Sequence, residues 1–206
     1  MTTPLTPPDT TRGRRGGLRE QHKARTRAAI RAAAMELFAQ QGYAGTTVEE
    51  IAARAEVSHT TFFRYFQSKE QVVIADDLDD QRTAALAAIP PGLGHFDLIR
   101  HLITTHYRIA VADEWASSTR RQQLIHDEPL LRTAYQLESD RAISAITDFF
   151  AAYTGLRVDD LRLRVFIAAV SGVVFHIADT IVDPTDERNL STLLEAVDLL
   201  ESGLPL

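Results

Sequence analysis

Apolar residues recur at three- and four-residue spacing through most of the chain, the period of helices, and no stretch alternates strictly enough to read as a strand. From Gln21 to Gln41, the positions Ile30, Ala33, Ala34, Leu37 and Phe38 share one helical face, and Gly42 is placed to end the helix. In the following "TTVEEIAARA", Thr47 stands three residues before Glu50, the spacing of a capping box, and Val48, Ile51, Ala52 and Ala55 give a short second helix one apolar face. Glu56 and Val57 then form a brief turn. Ser58 caps a third helix reaching about Phe66. Ser68 with Gln71 repeats the capping signature and opens a fourth helix, predicted to run through Val72, Val73, Ile74 and Leu78 towards Ala88.

"IPPGLG" at 89–94 interrupts the pattern and reads as a loop. Beyond it, helices are predicted from Phe96 to about Ala112, around Ser118 to His126, from Pro129 to Tyr153, from Leu161 to Val182 and from about Leu190 to Leu200. The expected fold is all-α, with about nine helices and no internal repeat. It divides into a flexible basic tail over 1–20, a three-helix unit over 21–70 and a larger helical domain over 71–206. Arg12, Arg14 and Arg15 in the tail read either as part of a solvated end or as an arm reaching DNA phosphates or a minor groove.

Charge sharpens that division. Residues 1–72 carry 11 Lys/Arg and 7 Asp/Glu, a net +4, whereas residues 73–206 carry 11 and 21, a net −10. A basic end fits a polyanionic partner; the acidic remainder would be repelled by it and must do something else. The chain has no cysteine, so no disulfide or thiolate chemistry is expected, and the natural setting is a reducing, cytoplasmic one. The start of the chain lacks the apolar stretch of a secretory signal. The apolar run from Val165 to Ala178 is shorter than the ~20 residues that cross a bilayer, so no membrane partner is expected.

The stretch "VSHTTFFRYFQSKE" resolves into two faces when 100° is assigned to each residue. Phe62 and Phe66 lie together as core anchors, while His59, Thr60, Thr61, Phe63 and Arg64 are left for the outside. Two short helices, a tight turn and this outward stripe define a helix-turn-helix, whose second helix enters a DNA major groove. The bland alternative is an ordinary three-helix core fragment with a polar outer face.

The segment "TTVEEIAARAEVSHTTFFRYFQSKEQVV", with the helix before it back to about Lys23, resembles the signature of tetracycline-repressor-type (TetR) transcriptional regulators. Further on, "QQLIHDEPLLRTAYQLE" resembles an actinobacterial subgroup that includes mycofactocin-associated regulators. The resemblance implies phosphate contacts from the Thr47 cap, Tyr65 and Lys69, which position the protein without reading sequence. It implies base or groove contacts from His59, Thr60, Thr61 and Arg64. Phe63 stands where the family often has tyrosine, which leaves apolar contact without a phosphate hydrogen bond. Glu56 replaces the usual turn glycine, at a cost of ~1 to 2 kcal/mol where that position is left-handed.

One helix-turn-helix covers few base pairs, so a homodimer on a palindromic double-stranded operator is expected. The proposed interface lies on the last two helices: Ala168, Gly172 and Phe175 on the first, Leu193, Leu194 and Val197 on the second. The resemblance implies a small-molecule effector cavity in the middle helices. Candidate lining residues are Phe96, Ile103, His106 and Tyr107, then Trp115, Arg121, Leu124 and Ile125, then Tyr135, Phe149, Phe166 and Val170. Trp115 is the first choice, and Arg121 is read as the partner of an acidic ligand group or of a surface carboxylate.

Two rivals stand beside this repressor reading. An architectural DNA-binding protein without an effector would have a filled interior. A helical metal enzyme would need paired carboxylate and histidine motifs, and only the fragments Glu56/His59, His126/Glu128 and His176/Asp179 occur. No catalytic residue, metal ligand or cofactor is therefore assigned.

Overall fold

The computed structural model describes residues 11–181 and 183–205, which form ten helices and no strand. The chain divides into two compact units, Met1–Val73 and Ile74–Leu206. In the first, α1 (Thr11–Gln41) begins earlier than predicted. Residues 1–10 of the expected tail lie outside the described residues, as do the side chains of Arg12, Arg14 and Arg15. Gly42 ends α1 with φ of +79°, and its N–H donates to Phe38 O at 3.0 Å.

Next, α2 (Val48–Arg54) starts on the predicted capping box: Glu50 N–H donates to Thr47 Oγ1 at 3.2 Å, and Thr47 N–H donates back to Glu50 Oε2 at 2.9 Å. It stops where Glu56 turns left-handed, with φ of 55°. The Val57 and Glu56 N–H groups then close onto Ala52 O and Ala53 O, a complete Schellman ending built without glycine. Ser58 caps α3 (His59–Tyr65) by accepting from Thr61 N–H at 3.1 Å. Tight helical ends on both sides of a four-residue connection, Ala55 to Ser58, fix the angle between α2 and α3. The core beneath them includes Ile30, Ala34, Leu37, Phe38, Tyr43, Ile51, Phe62 and Phe66, all buried.

The predicted fourth helix is broken in two, α4 (Lys69–Ile74) and α5 (Asp79–Ala87). The cause is "ADDLDD". Asp76 Oδ1 accepts from Leu78 N–H at 3.3 Å and its carboxylate is gripped by both Arg82 guanidinium nitrogens at 2.8 and 2.7 Å, a local arrangement that competes with helical hydrogen bonding. The aspartates also favour a new N-terminus over a continuing helix.

In the second unit, α6 (His95–Ala112), α7 (Thr119–Asp127), α8 (Pro129–Thr154), α9 (Leu161–Asp179) and α10 (Arg188–Glu201) follow closely the predicted pattern, although Val182, the predicted end of α9, lies outside the described residues. Helix α10 packs on α6 and α9, and α8 packs on α7 and α9. Their shared core holds Leu98, Leu102, Phe150, Leu163, Ile167, Val170 and Val197. The 89–94 loop is bolted to α8: the Tyr153 hydroxyl donates to Pro90 O at 2.6 Å and accepts from Leu93 N–H at 2.8 Å.

At 19 residues and mean hydropathy 1.7, α9 is long and apolar enough to cross a membrane by length and composition alone, and only 17% of it is buried. Leu163, Ile167 and Val170 nevertheless anchor one side of it in the bundle core, and what the other side leaves exposed bears on assembly.

Candidate nucleic-acid interface

Helix α3 presents the stripe that its periodicity predicts. Phe62 is 0% exposed and Phe66 3%, while His59, Thr60 and Arg64 face solvent and Phe63 keeps 43% of its surface accessible. The outward side chains are organised among themselves. The His59 ring meets Phe63 edge-on at 4.7 Å between centroids, and its Nε2 lies 3.4 Å from Glu49 Oε1 on α2. Arg64 extends over the Tyr65 ring, its guanidinium carbon 5.3 Å from the centroid. Thr61 is half-buried, and its hydroxyl oxygen accepts from the Ser58 hydroxyl at 2.9 Å. The surface thus offers one guanidinium, one free-standing hydroxyl on Thr60, an imidazole and an exposed ring on a single helix. That set can donate to base edges and touch a thymine methyl.

The residues assigned to phosphate are more internally engaged. Thr47 Oγ1 accepts from Glu50 N–H and donates to Glu50 Oε2 at 3.0 Å. The N–H and then the hydroxyl of Thr47 hold the Glu50 carboxyl below its usual range. Lys69 points inward: its Nζ donates to Tyr43 O at 2.7 Å and to Thr46 O at 2.9 Å. Sequence gives no hint of that direction, because a lysine at a helix start looks equally suited to a phosphate. Two arginines of α1 that sequence reading passed over, Arg27 and Arg31, lie over the Phe66 ring at 5.9 and 5.6 Å, beneath the reading helix.

The residues expected to line an effector cavity fall into several local settings. Phe96, Ile103, Phe149, Phe166 and Val170 belong to or pack on the core of the second unit. Tyr107 donates from its hydroxyl to Pro184 O and Asp186 O, fastening the α9–α10 connection. Trp115 Nε1 donates to Ala75 O at 3.0 Å. Arg121, only 4% exposed, donates to Ile74 O at 2.8 Å and stands 5.7 Å from the Trp115 ring. Arg121 is therefore buried rather than at the surface, and with Trp115 it donates to the Ile74 and Ala75 carbonyls. Ile125 is buried and Leu124 half-buried on α7, and Tyr135 is half-buried on α8. His106 differs from all of these: among the described residues its buried Nε2 has no hydrogen-bond partner. Burial, then the nearby Arg82 charge, lowers its pKa and favours the neutral ring.

Two open grooves run along α9 instead. One, about 1040 Å³, is lined by residues of α8, α9 and the connection between them, including Ile143, Thr147, Leu156 and Ala168. The other, about 480 Å³, is lined by Phe96, Phe166, Ala169, Val170 and Leu200. Leu161 and Val165 line both, forming a ridge between them, with Val165 59% exposed. Of the proposed interface residues, Ala168 and Gly172 lie exposed on this side, and a Cβ added at Gly172 meets nothing within 4 Å. Phe175 and Leu194 are half-buried. Leu193 and Val197 are buried within the protomer, because α10 turns them onto the core; neither is available to a partner.

An all-helical chain whose first unit is a helix-turn-helix with an outward polar helix is, by class, a DNA-binding regulator. Comparison with known proteins defines the class further. Residues 30–75 match the family described as bacterial regulatory proteins, tetR family, and residues 93–205 match the MftR C-terminal domain. The HTH-type transcriptional regulator TcmR of Streptomyces glaucescens is 32% identical over 201 residues, covering 91% of this chain and 88% of that protein. An HTH-type transcriptional repressor of Mycobacterium tuberculosis is 38% identical over 84 residues, 40% of this chain and 43% of its own. The fold is shared with the fatty acid degradation regulator FadR from Bacillus halodurans, at a TM-score of 0.55 and 20% identity over 87% of this chain and 96% of that one. The chain belongs to the TetR family of transcriptional regulators. The family and these relatives are regulators, not enzymes, which removes the metal-enzyme alternative. No cluster of three metal-donor side chains occurs among the described residues.

Proposed function

We propose that this chain is a cytoplasmic, homodimeric repressor that binds a palindromic double-stranded operator through α3 and releases it when a small-molecule effector occupies the second unit. The observation that carries the DNA reading is the division of α3 into a buried Phe62/Phe66 side and an exposed His59/Thr60/Phe63/Arg64 side. Two such helices related by a twofold axis read half-sites about 34 to 36 Å apart, or a multiple of that.

The dimer reading is supported by α9. Its Leu161/Val165 ridge, flanked by two apolar grooves and continued by Ala168 and Gly172, is a face that its own chain does not cover. A ridge beside a groove is self-complementary across a twofold axis. The effector reading is supported by His106, whose unpartnered Nε2 is a polar atom inside the helical unit that a ligand can satisfy.

Selection of duplexes from a random pool, followed by footprinting of the winner, tests the DNA reading. The expected result is a protected inverted repeat, and a pool that never enriches a sequence refutes it. Titration of that bound duplex with a metabolite panel tests the effector. Release by one compound with a matching loss in a His106→Phe variant supports it, and indifference to the whole panel favours an architectural role.

A further inference from the structure

We propose that the N-terminal part of α1 is a second DNA-binding element, a cationic helical arm that lies along backbone phosphates beyond the base pairs α3 reads. This rests on the DNA-binding reading above and extends its surface outside the helix-turn-helix. The positive charge of the first unit is concentrated in that arm. Residues 11–27 hold seven Lys/Arg and one Glu, a net +6, whereas residues 28–72 hold four Lys/Arg and five Glu, a net −1. Asp9 completes the net +4 of residues 1–72. The helix-turn-helix proper therefore has no net attraction for a polyanion, and the arm supplies it.

The geometry of α1 suits this task. The helix is continuous from Thr11 to Gln41, yet no residue between Arg19 and Ala29 is buried, and it first enters the core at Ile30. A rise of 1.5 Å per residue carries Thr11 about 24 Å beyond Arg27. At 100° per residue, positions 12, 15, 19, 23 and 27, each Arg or Lys, fall on one stripe about 120° wide, while positions 14 and 25 fall on the other side. The stripe begins at the reading helix: the Arg27 guanidinium carbon lies 5.9 Å from the centroid of Phe66, the residue that closes α3. Arg19 and Lys23 are exposed. Lys23 Nζ donates to Glu20 Oε1 at 2.8 Å, a pair that water and salt weaken because both side chains are exposed.

Composition and shape select the partner. Leu18 and Ala24 are the only apolar side chains from 11 to 27, so the arm has no apolar face to sink into a lipid surface. A helix about 10 to 12 Å across does not enter a minor groove about 6 Å wide. With α3 in the adjoining major groove, the phosphates remain, and contacts to them add affinity without reading sequence.

The test uses the full-length chain, a duplex selected by the wild type from a random-sequence pool and a mixed-sequence duplex of equal length, with affinities measured over a KCl series. Each lost phosphate contact makes the slope of log affinity against log salt shallower by about 0.9. Arg19→Gln should flatten it by about 0.9 and Arg19→Gln/Lys23→Gln by about 1.8, with both duplexes weakened alike, about threefold or more per substitution at about 0.1 M KCl, and the melting temperature unchanged. Arg25→Gln removes the same charge from the other side of the helix and should shift the slope by less than about 0.3.

An unaltered slope in the double variant overturns the arm. So does an equal response to Arg25→Gln, which marks a general charge effect instead of a contacting face, and so does a loss confined to duplexes with A·T-rich flanks, which marks minor-groove insertion. Phosphate ethylation interference gives a second readout: in the wild type it should mark phosphates outside the base pairs protected by α3, and those marks should vanish in the double variant. Where the wild type enriches a sequence and the variants bind it as tightly, the arm alone is refuted; a wild type that binds neither duplex refutes the DNA reading as well.

Discussion

Two helices of this protein leave a broad face uncovered, and the faces differ in kind. The outer side of α3 carries an imidazole, hydroxyls, one ring and a guanidinium; that of α9 carries Leu161, Val165, Ala168, Ala169 and Gly172. A polar, cationic stripe loses little by standing in water and gains from meeting a polyanion. An apolar one gains only by being covered. The same contrast appears in the net charges of +4 and −10 on the two parts of the chain. Exposure alone does not identify an interface; the chemistry of what is exposed selects the partner.

The largest effect that would test this contrast comes from beneath it. Phe62→Ala should cost the first unit about 3 to 5 kcal/mol and disorder the α3 stripe. A denaturant titration followed by hydrogen exchange should then show the first unit opening while the α6–α10 core stays protected, and simultaneous loss of both would show that they are not separable. Next in size, Val165→Asp places a charge on the ridge. If that ridge is covered by a second copy, the pair should weaken by about 3 kcal/mol or more, visible as dissociation in sedimentation. An unchanged dimer would move the seam off α9.

Arg64→Ala should erode base preference by ~1 to 3 kcal/mol, read as the affinity ratio between selected and mismatched duplexes, with an unaltered melting temperature. Thr47→Ala should cost the first unit about 1 kcal/mol through loss of the α2 cap. Because the Glu50 pKa is lowered in the folded protein, its contribution is present above the ordinary glutamate range and disappears as pH falls through the depressed value. The variant's pH–stability curve should be flatter in that acidic window. Smallest, the lowered His106 pKa makes the second unit lose stability as pH falls through and below the ordinary histidine range, and His106→Phe should remove that slope.

Periodicity made the faces of α1, α2 and α3 legible, because caps at Thr47 and Ser58 fix the phase of each helix and two phenylalanines one turn apart settle which side is buried. It failed where direction depends on a third element. Leu193 and Val197 lie on a regular apolar face of α10, but spacing does not say whether that face meets its own chain or another, and it meets its own. Val72 to Leu78 looked like one continuing helix because the apolar count hid Asp76, whose side chain takes a backbone N–H and the Arg82 fork. Trp115 and Arg121 were legible as unusual, yet their partners are backbone carbonyls at Ile74 and Ala75, and carbonyls leave no trace in a sequence. The outward residues of α3 were readable because they need only solvent in front of them; the Lys69 contacts were not, because they need the fold of the Tyr43–Thr46 turn.

The left-handed Glu56 has a consequence for engineering. A glutamate held at φ of 55° carries strain that glycine would relieve, but glycine would also widen the range of shapes the unfolded segment explores, so the two effects oppose each other. It also puts a carboxylate in the elbow of a surface built to approach phosphates. Exchanging Glu56 for asparagine, which tolerates this backbone region without the charge, offers a route to a tighter DNA binder that leaves every residue of the reading stripe untouched.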